Sequence, residues 1–214
     1  MDESVLGDDF TKPLTRLQAS AIAVTLAEKL SGKSVSSAKS KTYSDTKNKY
    51  ALKAAGAGIY GGASDGKFNL DGIVDRQQLA TFFYQALMYA KKNKNVRYTP
   101  YESKLARYSD NAEIADWAKE AAAFMDALGL VEGSSNTKFS PEETLTIEQA
   151  LVIANNSLDA PNIGWYQSGP SNTDKLGFSN STNDFQAQNC GVPTLLEYRN
   201  YERFWRPVAM PEVP

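Results

Sequence analysis

Apolar positions along the chain recur with a period near 3.6, and five segments carry that spacing strongly enough to predict helices. Between residues 14 and 30, Ala19, Ile22, Ala23, Leu26 and Leu30 share one face. Tyr50, Ala51, Ala54, Ala55 and Ile59 mark a shorter helix, weakened by Gly56 and Gly58. Leu79, Phe82, Phe83, Ala86 and Leu87 face one way in a helix from Arg76 to about Ala90. Trp117, Ala121, Phe124, Met125 and Leu128 do the same in a fourth, which Gly129 ends as a C-terminal glycine should. The expected helices are 16–30, 48–59, 76–90, 115–128 and 147–158. No strand-type alternation of any length occurs, so the spacing predicts an all-α protein.

The intervening chain is polar. Ser31 to Lys41 is rich in Ser and Lys, Gly61 to Gly66 must turn, and Lys91 to Tyr101 is a basic linker. Residues 161–193 carry Gly, Pro, Ser and Asn with little periodicity. After them, Thr194-Leu195-Leu196-Glu197 is a capping box that predicts a short helix over 195–205, closed by Pro207, Pro211 and Pro214. The division expected is a helical repeat domain over 1–160 and a C-terminal extension over 161–214. The aromatic side chains Tyr198, Tyr201, Phe204 and Trp205 suggest that this extension folds back onto the helices.

Overlaying the helical segments exposes an internal repeat. Tyr43-Ser44-Asp45 opens one unit, which continues through Asp65-Gly66-Lys67-Phe68 to Asp75-Arg76-Gln77-Gln78. Tyr108-Ser109-Asp110 opens another, continuing through Trp117-Ala118, Thr137-Lys138-Phe139-Ser140-Pro141 and Thr146-Ile147-Glu148-Gln149. Residues 10–30 match only the closing half, so the units are a half repeat at 10–30 and full repeats at 43–90 and 108–158. Thr15 and Gln18, Asp75 and Gln78, and Thr146 and Gln149 each pair a capping residue with a glutamine three positions on. Such pairs satisfy orphan amides of a first helical turn.

Composition narrows the chemistry. Among the 214 residues there is no histidine, which removes histidine acid–base catalysis, Ser-His-Asp triads and histidine-ligated metals. One cysteine, Cys190, can form no internal disulfide and reads as a plain thiol. A net charge of −2 points to neither nucleic acid nor an anionic membrane. Residues 67–78 resemble a calcium loop but place Lys67 and Gln78 where carboxylates belong, so no metal or cofactor is expected. Glu142-Glu143 and Asp8-Asp9 lack evident partners and read as solvated surface. No run reaches the roughly 20 apolar residues of a membrane span, so no membrane insertion is expected. Met1-Asp2-Glu3-Ser4 has no signal-peptide character; either the chain is cytosolic or a signal preceded it.

The repeats resemble S-layer homology domains over about residues 10–158. That family's pattern is an aromatic-x-Asp start, a Trp-Ala in the first helix, a Gly-x-x-Asp-Gly-x-Phe-x-Pro loop and a Thr-Arg-Ala-Glu helix start. The resemblance implies a pseudo-threefold helical bundle that binds secondary cell-wall polysaccharide, often through a pyruvylated sugar. Such modules hold exoproteins on the bacterial surface and are binding modules, not enzymes. Arg16 and Arg76 occupy the arginine position of the helix-start motif. An arginine there opposes the positive end of the helix dipole by a few tenths of a kcal/mol. The placement suits a docked anion, gripped by the guanidinium with help from helix-terminal amides, or else a solvated surface arginine. Ile147 replaces the arginine in the third unit, and Tyr50 stands near where the family has tryptophan. Asp45 and Asp110 either accept sugar hydroxyls or cap the first helices. Trp117 fits either the core or a groove wall, and Gly62 and Gly133 serve either turns or close approach to a ligand. The alternative role is a structural module that keeps the fold and binds a surface-layer or other protein.

Overall fold

The structure, a computed structural model, describes residues 5–39, 43–94, 96–98, 100, 103 and 105–162. Cys190, the extension 161–214 and the helix expected at 195–205 fall outside these residues, save for 161 and 162. Five α-helices follow in order: α1 Arg16–Ser31, α2 Lys49–Ala57, α3 Arg76–Lys94, α4 Asp116–Ala127 and α5 Ile147–Ser157. Among the described residues there is no strand, so the fold class is all-α as the spacing predicts. Each helix begins within a residue of its expected position, and α3 runs past Ala90 through the lysines of its last turn.

The ends of the helices have local causes. All three expected capping boxes form, with Thr15, Asp75 and Thr146 accepting from the amides of Gln18, Gln78 and Gln149 at 3.3, 2.8 and 3.3 Å. Gly32 and Gly58 stop α1 and α2 in the left-handed region, at φ of 66° and 74°.

Helix α1 is the centre of the bundle. Every residue from Ala19 to Ala27 is buried, because α2, α3 and α5 pack on different sides of it. The expected inward residues of α1 and α3 are all in the core. In α4 the burial is shifted: Ala118, Ala121, Ala122 and Met125 face inward, and Trp117 is 58% exposed. The core alternative for Trp117 is therefore overturned. The buried stripe centres on Ala118 and Ala122, and Trp117 lies in the first turn at its edge. Helical side chains lean back toward the N-terminus, which carries the indole past the packed face.

Three interlocked loops join the units. The first amide of α3 donates to the carbonyl of Glu143 at 2.9 Å, that of α1 to Gly72 at 2.7 Å and that of α5 to Lys12 at 3.1 Å. The second amides repeat the pattern, Leu17 to Leu70, Gln77 to Pro141 and Glu148 to Phe10, each at 3.0 Å. Isolated antiparallel bridges pair Thr15 with Ile73, Asp75 with Thr144 and Pro13 with Thr146. Each helix start thus leans on the loop of the next unit, and the third returns to the first. First-turn amides that a helix cannot satisfy itself are consumed by this ring.

Candidate functional site

The loops preceding α3 and α5 are each built on a carboxylate. Asp110 accepts the amides of Phe139 and Ser140 with its two oxygens, both at 2.8 Å. Asp45 accepts those of Phe68 and Asn69 at 2.9 and 2.7 Å. Asn69 and Ser140 both sit in the left-handed region, at φ of 59° and 55°. That conformation is uncommon outside glycine, and the carboxylate latch explains how it is held. For Asp45, the Phe68 amide first and the Asn69 amide with it hold the carboxyl below its ordinary range. For Asp110, burial pushes upward, and the same two kinds of amide outweigh it. The helix-capping alternative is overturned for both. Asn48 caps α2, and α4 is preceded by Ala115, whose amide is taken by Gln77 Oε1 at 3.0 Å, with no side chain capping it.

The glycines serve close packing. A Cβ on Gly62, whose φ is 86°, would stand 2.5 Å from the Tyr43 ring. One on Gly133 would strike the carbonyl of Lys138 and the Tyr108 ring. Beneath them Phe68 and Phe139 are fully buried, in edge contact with Tyr43 and tilted on Tyr108 respectively.

Arg16 and Arg76 start equivalent helices but have different surroundings. The Arg16 guanidinium lies over the Tyr60 ring, 5.3 Å from its centroid, and donates through Nη1 to the carbonyl of Asn69 at 3.1 Å. Tyr60 is fixed in turn by stacking on Phe82 and edge contact with Phe68. Among the described residues no carboxylate comes within ion-pair distance of Arg16. Arg76 is buried, 8% exposed, and donates to the carbonyls of Glu132 and Ser140 at 3.3 and 3.4 Å. Its Nη2 meets Glu143 Oε2 at 2.9 Å. The surface-arginine alternative is therefore overturned for Arg76, and Glu143 is a partner of that arginine and not a free surface acid.

The helix-terminal amides expected to assist an anion are already donated, within the ring and to the capping boxes. Side chains, with Arg16 foremost, are what remains for a ligand. At the third helix start Ile147 is buried, and Lys12 of the adjoining loop pairs with Asp9 at 3.8 Å. Sequence reasoning missed Tyr60, Gln77 and Glu143. The repeat register held one usable signal, since Gly72 and Glu143 fall at one repeat position.

Comparison with known proteins bears on this arrangement. Residues 107–151 match the S-layer homology domain family. A "Cell surface protein" of Thermoanaerobacter kivui is 27% identical over 150 residues, 68% of this chain and 19% of that protein. An "Endoglucanase" of Bacillus sp. (strain KSM-635) is 28% identical over 120 residues, 55% of this chain and 12% of that protein. The chain therefore spans less than a fifth of the length of either relative. Among the described residues no helix is long and apolar enough to cross a membrane.

Proposed function

With residues 107–151 an S-layer homology domain, we propose that the chain attaches a protein noncovalently to a bacterial cell surface by binding an anionic wall polysaccharide. The family match and the printed name of the first relative support surface attachment in general terms. The anionic and pyruvylated character of the glycan belongs to this proposal alone.

The observation that carries it is Arg16. A guanidinium stacked on an aromatic face and tethered by one carbonyl is pre-oriented, and it keeps donors available for a carboxylate fork. Tyr60 supplies an aromatic surface for the sugar beside the charge. Asp45, Asp110, Gly62 and Gly133 act in this reading by shaping the loops that flank the helix starts. Trp117, exposed at the start of α4, offers a further flat face to a glycan. The test is binding to purified wall polysaccharide before and after selective removal of its acidic groups. Retention that falls to background on the neutralised polymer supports the reading. Equal retention on both would sink the anionic part of it.

A second reading, a module that keeps the fold and binds protein, has one observation in its favour. Of the three helix starts, one carries Ile147 and another has its arginine engaged by Glu143. A folded chain that ignores every wall polysaccharide offered would favour this reading.

A further inference from the structure

We infer that Glu143 is a built-in surrogate for the acidic ligand, so that the helix start at Arg76 is a closed anion site and the one at Arg16 an open one. The inference rests on the proposed binding of an acidic sugar at Arg16. Its basis is the repeat position shared by Gly72 and Glu143. The carbonyl of Gly72 takes the first amide of α1, and that of Glu143 takes the first amide of α3. Each residue lies four positions before a long helix and lies against the arginine of the preceding unit. At Gly72 a Cβ would come within 2.5 Å of Arg16 Nη1, so a side chain in this place is aimed at the guanidinium. Glu143 fills that place with a carboxylate, and its Oε2 sits on Arg76 Nη2 at 2.9 Å.

The two environments share one further contact. Arg16 donates to the carbonyl of Asn69, and Arg76 to that of Ser140, its repeat equivalent. They differ in the Tyr60 ring beneath Arg16, in the Glu132 carbonyl and the deeper burial at Arg76, and in the acid: Glu143 is ion-paired with Arg76, while Arg16 has only the longer-range pull of Asp75. A carboxylate oxygen on the guanidinium is what a carboxylate-bearing sugar would offer. A group held on the same chain competes at an effective concentration of about millimolar or more. A free ligand of ordinary affinity does not displace it. Position 143, with position 72, is thus a specificity determinant that sets how many acidic sugars one chain can hold.

The experiment counts sites with a short wall oligosaccharide carrying one pyruvyl group, by calorimetric titration of the whole chain. Wild type should bind one equivalent, Glu143→Ala two, Arg16→Ala none, and the double variant Arg16→Ala/Glu143→Ala one. Gly72→Glu, the reciprocal change, should close the Arg16 site and bind none. Addition of the oligosaccharide should move the Arg76 Nε–H resonance in Glu143→Ala and leave it unmoved in wild type. Should Glu143→Ala fail to fold, Glu143→Gln, which keeps the shape and gives up the charge, takes its place with the same expectation. A folded Glu143 variant that binds no more than wild type, with the Arg76 resonance unmoved at millimolar ligand, overturns the inference. Wild type that binds nothing while Glu143→Ala binds one would overturn the Arg16 reading and leave the closed site standing.

Discussion

Gly133 and Tyr108 are locked to each other twice. The Gly133 amide donates to the Tyr108 hydroxyl at 2.9 Å, and the Tyr108 ring occupies the space that a Cβ on Gly133 would need. The ring is fully buried, and the other obstacle, the Lys138 carbonyl, is backbone. Neither can move aside cheaply. Gly133→Ala should therefore destabilise the domain by about 1–3 kcal/mol, the range of forced overpacking in a core. The midpoint of urea unfolding reports it, and a shift equivalent to less than about 0.5 kcal/mol would contradict the packing account.

Acid should unfold this domain through its loop latches. Asp45 and Asp110 ionise more readily in the fold than in the unfolded chain, so the folded state binds fewer protons. Their contribution is complete above the ordinary aspartate value of 3.8 and is lost as pH falls through the lowered folded values. Asp75, raised chiefly by burial, works in the opposite sense. At the alkaline end Tyr84 is pushed up to about 12, first by burial and then by Glu120, so stability should fall again above the ordinary tyrosine value of 10. Asp110→Asn should cost about 2 kcal/mol at neutral pH, because one amide is left with a neutral oxygen and the other faces an NH2 donor. It should also flatten the acid limb of a stability–pH curve. An acid limb unchanged in Asp110→Asn would contradict the latch.

Trp117 offers a cleaner separation of stability from binding. Its indole lies outside the core, so Trp117→Ala should leave the unfolding free energy within about 0.5 kcal/mol of wild type. Had it been core, the loss would be about 3–5 kcal/mol. Thermal and urea unfolding decide between these directly.

Helices, caps and repeat units are legible in the sequence because their causes are local. Period, capping glutamine and stop glycine all lie within one turn of what they control. The sites are less legible because their partners lie far away in sequence. Arg76 and Glu143 are 67 residues apart, and only the ring that sets each helix start on the next loop brings them together. Tyr60 beneath Arg16 depends on the same ring. Trp117 misled because apolar spacing shows that a helix has a buried stripe, while the neighbouring helices decide where the stripe is centred.

The account turns on one side chain, and cosedimentation with purified acidic wall polysaccharide tests it most directly, comparing wild type, Arg16→Lys and Arg16→Ala. Arg16 is partly exposed and makes no direct ion pair among the described residues, only a longer-range pull on Asp75, so all three should fold, with Arg16→Ala at most slightly less stable. Wild type should sediment with the polymer, Arg16→Ala should stay in solution, and Arg16→Lys should bind at least tenfold more weakly than wild type, since an ammonium cannot form the fork. Wild-type binding by folded Arg16→Ala would contradict the central claim and move the site elsewhere on the domain.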